Sequence, residues 1–230
     1  MQRPLVITID GPAGAGKSTV AQRLAQRLDL TYIDSGATYR AAALKALEDG
    51  ASPEDGRAVI ASIKGAKIEL QPQSSQLRVL LEGKDVTGQI RSSEVTLAAA
   101  CISRLPEVRA KLVALQRTFA RAPGVVMEGR DIGTIVFPDA PLKIFLTARP
   151  EERAHRRLLE GREKGRHTTL EQTAYEIDRR DQLDVERKVS PLIPAADAQI
   201  IDSSTLTVDE VVDRIIGLAK ERGLLRAPAM

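Results

Sequence analysis

The stretch Gly11-Pro12-Ala13-Gly14-Ala15-Gly16-Lys17-Ser18 constrains the fold of this chain more than any other. It meets the phosphate-loop pattern G-x-x-x-x-G-K-[ST] at every fixed position. Before it, Leu5-Val6-Ile7-Thr8-Ile9 is rich in β-branched residues and reads as a buried strand. After it, Val20, Leu24 and Leu28 recur at i, i+4 and i+8, with Ala21 and Ala25 beside them, which is one face of a helix. A glycine-rich turn between strand and helix aims backbone N–H groups and the positive helix end at an anion. Its glycines let the backbone wrap close to phosphate oxygens, where a Cβ would collide. In such a loop Lys17 reaches the terminal phosphates, and the Ser18 hydroxyl is placed to meet Mg²⁺.

The rest of the chain repeats the strand–helix alternation, which predicts βαβ units and a parallel sheet. Thr31–Asp34, Val125–Met127, Leu142–Leu146 and Gln199–Asp202 read as four more strands, giving five. Helices are expected over about 35–47, around Val59, Ile60 and Ile63, then near 92–103 and 106–120. The helix from Pro106 carries Val108, Leu112, Leu115 and Phe119 on one stripe. Further helices are expected over 150–160, 170–186 and from Val208 to Ala219, the last with Gly223 near its end. Between about 66 and 86 the texture changes. Ile68 and Leu70, then Leu77, Val79 and Leu81, alternate with polar residues, separated by Pro72 and Ser74-Ser75. That pattern predicts a small antiparallel sheet inserted into the α/β chain. The fold class is therefore α/β: a five-stranded parallel sheet with helices on both faces and an antiparallel β insert.

At 230 residues the chain buries one sizeable core. No apolar run approaches transmembrane length, and the N-terminus runs straight into a strand, so neither a membrane anchor nor a signal peptide is expected. Cys101 is the single cysteine, which excludes an internal disulfide and fits a reducing, cytoplasmic compartment. It lies among alanines and reads as a small packing residue. Two histidines and one cysteine argue against a zinc site of the usual ligand types. A net charge of +3 suits an anionic partner, while 3% aromatics argue against a base-stacking platform for nucleic acid.

In open parallel sheets ligands bind beyond the carboxyl ends of the strands. Asp34-Ser35-Gly36 follows the second strand, with Tyr39-Arg40 a turn later, and Glu128-Gly129-Arg130-Asp131 follows the third. Arginine there forks onto phosphate, and Asp131 is placed either to accept from an exocyclic amine or to order a neighbouring arginine. Arg153, Arg156, Arg157, Arg162, Lys164 and Arg166 form a basic run that includes both histidines, His155 and His167. A flap closing over polyphosphate and a solvated helix end fit this run equally well. Arg180, Asp184 and Arg187 recur at helical spacing on one face.

Taken in order, these stretches resemble the bacterial cytidylate (CMP) kinases, P-loop nucleoside monophosphate kinases, over essentially the whole chain. The resemblance is carried by Ile7 to Ser18, Asp34-Ser35-Gly36-Ala37-Thr38-Tyr39-Arg40, Glu128 to Thr134 and Phe137-Pro138-Asp139-Ala140. Glu152 to Arg157, Arg180-Asp181 through Arg187, and Ser190-Pro191-Leu192 complete it. It implies a kinase that uses ATP with Mg²⁺ and passes the γ-phosphoryl group to CMP or dCMP, while the lack of a long exposed apolar run makes a monomer the expectation. It also implies three parts: a core (about 1–34, 122–150 and 188–230), an NMP-binding part with the β insert (about 35–121) and a short helical lid (about 151–187).

Under the resemblance, ATP lies on Gly11, Pro12, Ala13, Gly14, Ala15, Gly16, Lys17, Ser18 and Thr19, and Ser18 meets the metal. Ser35, Arg40 and Arg130 hold the acceptor phosphate, Arg109 and Asp131 read cytosine, Arg180 and Asp184 hold the ribose, and Arg187 lies near the phosphates. Lys17, Arg130 and the lid arginines Arg153 and Arg157 act on the transferring group. Two departures stand out. Relatives usually have a serine where this chain has Ala100, which offers no hydrogen bond, and some have glycine where Ser18 stands. A kinase for another monophosphate or small metabolite, or a nucleotide-dependent nucleic-acid switch, are the competing readings. The Arg109–Asp131 pair disfavours the first and the scarcity of aromatics the second.

Overall fold

The computed structural model describes residues 4–73, 76–163, 165, 168–187 and 189–225. Ser74-Ser75, and Lys164, Arg166 and His167 of the basic run, lie outside the described residues. Five strands form one parallel sheet: β1 (Leu5–Asp10), β2 (Thr31–Asp34), β6 (Gly124–Gly129), β7 (Leu142–Thr147) and β8 (Gln199–Asp202). Their order across the sheet is β2-β6-β1-β7-β8, so the phosphate loop follows the central strand. A separate antiparallel sheet holds β3 (Ile68–Gln73), β4 (Gln76–Leu81) and β5 (Lys84–Asp85), the expected insert.

Strand alternation divides the core in two. Side chains alternate between the faces of a strand, and helices cover both faces of a parallel sheet. Val6, Ile33, Val125 and Met127 pack on one face with α2 (Ser35–Glu48), α3 (Gly56–Lys64), α4 (Ser93–Ile102), α5 (Pro106–Arg117) and the insert. Ile7, Ile9, Val126, Ile144 and Leu146 pack on the other with α1 (Lys17–Leu28) and α8 (Val208–Glu221). Ile7, Ile9 and Val126 are wholly buried.

Three details depart from the sequence reading. α5 ends at Arg117, not at 120, because the Thr118 and Phe119 N–H groups bond to Leu115 and Gln116 in tighter turns. Phe119 still packs on the core, from beyond the helix. α6 (Pro150–Glu163) runs through Gly161, three residues past its expected end, and α7 (Leu170–Val185) packs beside it. Glu128 and Gly129 belong to β6 itself, and the chain then enters an unforeseen π-helical segment, Ile132–Val136. Ala13, Ala154 and Ile177 form a small buried cluster that docks the α6–α7 pair on the phosphate loop.

Candidate functional site

A cleft of about 760 Å³ opens along the carboxyl ends of β1, β2 and β6, lined by the phosphate loop, α2, α4, α6 and α7. The loop at its centre needs its glycines. Gly11 has φ +145°, and a Cβ there would sit 1.9 Å from the Leu146 carbonyl oxygen. Gly16, at φ 89°, caps α1 without a side chain, and the first turn of α1 holds no acidic residue. The N–H groups of that turn are therefore left for an anion. Ser18 and Thr19 are exposed at its mouth, and Ser18 also hydrogen-bonds the buried Glu128.

Lys17 is only 6% exposed and donates from Nζ to the Pro12 carbonyl at 2.8 Å. Burial, joined by the positive charges of Arg130 and Arg180, pulls its pKa down to about 7, against the pull of Glu128 and Asp10. An anion in the loop reverses that change, since a nearby opposite charge favours the ammonium. Beneath the loop, Asp10 accepts from the Ile132 N–H at 2.8 Å and the Gly133 N–H at 2.7 Å. Burial lifts the Asp10 carboxyl to about 6, further than those two bonds lower it. The π-helical segment is thereby tied to β1 by one buried carboxyl.

One wall gathers cations. Arg40 pairs with Asp34 at 2.5 Å, while its buried Nε has no hydrogen-bond partner. The Ser35 hydroxyl donates to the Glu128 carbonyl at 2.7 Å. Arg130 donates from Nε to Asp184 at 2.8 Å, and Arg187 reaches the other Asp184 oxygen at 3.4 Å. Burial resists ionisation of Asp184, but Arg130 and Arg187 outweigh it and hold its carboxyl below the usual range. Arg180 also lines the cleft; burial and the charge of Arg130 lower its pKa to about 10. Arg40, Arg130, Arg180 and Arg187 thus stand with the three carboxylates Asp34, Glu128 and Asp184 along this wall, a positive balance that suits an anionic ligand.

The far end of this wall is more enclosed. Arg109 is 4% exposed and Asp131 6%, and they form a buried ion pair. Arg109 also donates to the Ser103 carbonyl at 3.3 Å and to the Ser190 hydroxyl at 3.2 Å, with its guanidinium 5.6 Å from the centre of the Tyr39 ring. The Tyr39 hydroxyl is buried without a hydrogen-bond partner, and burial pushes its pKa up to about 12. Ala100 lies at the cleft edge on α4 with no polar side-chain atom to add.

The opposite end carries α6. Arg156 donates to the Ser203 hydroxyl at 3.0 Å and the Ser203 carbonyl at 2.6 Å. Arg157 pairs with Glu160 at 2.7 Å, and both line the cleft. Arg153 does not. It is occupied by Asp181, the Ala13 carbonyl at 3.1 Å and the Ala148 carbonyl at 3.2 Å. The structure therefore gathers Lys17, Ser35, Arg40, Arg109, Arg130, Asp131, Arg157, Arg180, Asp184 and Arg187 around one cleft and sets Arg153 behind the phosphate loop. The sequence reading gave Asp10 and Asp181 no role of their own, and it named Tyr39 and Arg156 only as members of the strand-end cluster and the basic run. Position alone marked two of them: Asp10 ends the strand before the motif, and Tyr39 stands beside Arg40.

The family model for cytidylate kinase matches residues 7–221. A cytidylate kinase of Pelotomaculum thermopropionicum is 50% identical over 212 residues, covering 91% of this chain and 93% of that protein. One from Escherichia coli is 44% identical over 217 residues, covering 94% and 96%. Among solved structures, an uncharacterized protein from Eubacterium ventriosum aligns over 94% of this chain and 98% of its own at 14% identity, with a TM-score of 0.52, a likeness of fold alone. Identity at this level, unbroken from the phosphate loop to the last helix, makes this chain a member of the cytidylate kinase family.

Proposed function

We propose that the chain transfers the γ-phosphoryl group of ATP to CMP, and to dCMP, releasing ADP and the corresponding diphosphate. The observation that carries this reading is the buried Arg109–Asp131 pair, set in the same cleft as Lys17 and the phosphate loop. A cytosine edge offers an exocyclic amine to donate and ring nitrogen and oxygen to accept. A carboxylate beside a guanidinium answers both, whereas uracil presents the opposite groups at two of those positions. Ala100 adds nothing to that selection, so it rests on the pair.

ATP lies with its phosphates on residues 11–19. Ser35, Arg40 and Arg130 hold the acceptor phosphate, Arg180 and Asp184 the ribose, and Arg187 stands near the phosphates. The acceptor phosphate is ionised near neutral pH, so attack needs no general base. What the protein supplies is in-line placement and positive charge. Lys17 and Arg157 bring that charge to the transferring group. Among the described residues no three acidic, histidine or cysteine side chains cluster to hold a metal. That donor set fits Mg²⁺ carried on nucleotide phosphates, with Ser18 adding one oxygen ligand. The ion would neutralise phosphate charge there.

We read residues 151–187 as the lid, 35–121 as the NMP-binding part and the remainder as the core. The chain acts in this reading as a cytoplasmic monomer. No helix among the described residues is long and apolar enough to cross a membrane. The test is coupled ADP release with ATP-Mg²⁺ and, separately, CMP, dCMP, UMP, AMP and shikimate. Strong turnover with CMP and dCMP and weak turnover with UMP are expected. Absence of acceptor-stimulated turnover would overturn the assignment.

A further inference from the structure

We propose that Ser190 is a positioning residue that sets acceptor-base selection by locking the Arg109 guanidinium against Asp131. The inference rests on the reading of Arg109 and Asp131 as the base-selecting pair. Ser190 is 9% exposed and is not among the residues lining the cleft. Its hydroxyl accepts from Arg109 Nε at 3.2 Å, and its proximity to the Asp131 carboxyl favours the charged form of that group. One small side chain thus holds one half of the pair and lies beside the other.

The other guanidinium nitrogens are already engaged. Nη2 goes to Asp131, Nη1 goes to the Ser103 carbonyl, and the plane faces Tyr39. Ser190 takes the remaining position, Nε, and so fixes rotation of the guanidinium within its plane. A guanidinium that selects between cytosine and uracil must present its donors in one orientation.

The backbone at Ser190 adds a second observation. Its φ is +55°, in the left-handed region, and Pro191 follows. A residue with a Cβ is strained there, and the proline narrows its choices further. Glycine would sit at φ +55° at lower cost. Strain of this kind persists where the surroundings over-determine the residue, and here the hydroxyl is what the surroundings hold. The segment also returns from α7: the Leu192 N–H donates to the Asp184 carbonyl at 2.9 Å. Ser190 therefore joins the base end of the cleft to the helix that carries Arg180 and Asp184.

The test compares the wild type with Ser190→Ala and Ser190→Gly, using CMP, UMP and ATP as varied substrates and thermal melting alongside. Both variants lose the hydroxyl, and only glycine relieves the backbone. Both should lower the CMP-over-UMP ratio of kcat/KM about tenfold, the scale of one hydrogen bond to a charged group. The loss should appear in the KM for CMP, with the KM for ATP within about twofold of wild type. Ser190→Gly should melt no lower than wild type, separating selection from stability. An unchanged CMP-over-UMP ratio in both variants overturns the proposal. A wild type that does not phosphorylate CMP overturns instead the reading on which it stands, and the positioning role with it.

Discussion

Arg130 illustrates how a charged side chain can matter to catalysis more than to folding. Its Nε–Asp184 bond is 2.8 Å long, and Arg187 stands 3.4 Å from the other oxygen of the same carboxylate. Removing Arg130 leaves Asp184 a partner, so no buried charge is orphaned. With the two side chains only 17% and 13% exposed, the pair is not a surface pair, but Arg187 still faces Asp184, so the cost stays below the ~3–5 kcal/mol of a buried charge left with no partner. In the proposed reading the same guanidinium aligns the acceptor phosphate, and preorganised positive charge is worth hundreds-fold in rate. Arg130→Ala should therefore lower kcat with CMP by about 100-fold or more while moving the melting temperature by only a few degrees. A melting loss in proportion to the activity loss would make Arg130 a structural residue.

At the scale of elements, the sheet was readable and the rotation of α6 was not. Parallel strands buried on both faces must be short apolar runs, and Ile7, Val126 and Ile144 mark theirs without help from elsewhere. The phosphate loop was readable because its glycines answer to local backbone geometry, as at Gly11. The π-helical segment was hidden because what holds it is Asp10, far away in the chain. On α6, Arg153 and Arg156 are three residues apart, and spacing cannot say which turns toward the cleft. Packing of Ala154 against Ala13 and Ile177 decides it, sending Arg153 behind the loop and Arg156 to Ser203.

That placement points to a docking task for Arg153 beside the one the resemblance implies. Asp181 accepts from the Ala13 N–H at 3.1 Å and from Arg153, so loop, α6 and α7 share one junction. Arg153→Ala should undock the helix pair. Limited proteolysis should cut faster within α6 and α7, and the KM for ATP should rise several-fold, while the sheet stays protected. If kcat falls about 100-fold with unchanged proteolysis, Arg153 acts on the transferring phosphoryl group and the junction is incidental.

At the scale of the whole molecule, the free protein carries a cost at neutral pH that its ligand removes. Burial lowers the Lys17 pKa from 10.5 to about 7. The unfolded chain therefore holds that proton more tightly between pH 7 and 10.5. From this group, stability rises with pH through that window, and the full cost is present below it. Asp10 works the other way: burial raises its pKa from 3.8 to about 6, so its cost grows between those values and is complete above pH 6. Near pH 7 both groups oppose folding, each by a few kcal/mol at most, since a tenfold change in proton affinity amounts to about 1.4 kcal/mol. In the proposed reading ATP adds negative charge beside Lys17 to that of Glu128 and Asp10, and binding to the folded state alone stabilises it by mass action. Lys17→Met keeps the length of the side chain and removes the charge, at the loss of the bond to Pro12, worth about 1 kcal/mol. The variant should be inactive yet melt about 5 °C above the free wild type at pH 7. The difference should shrink toward pH 10, and ATP should raise the melting temperature of the wild type far more than that of the variant. A variant that melts lower than wild type at pH 7 would mean that the Pro12 bond and the neighbouring Glu128 and Asp10 already compensate the buried ammonium, and that the phosphate loop is not held at a cost in stability.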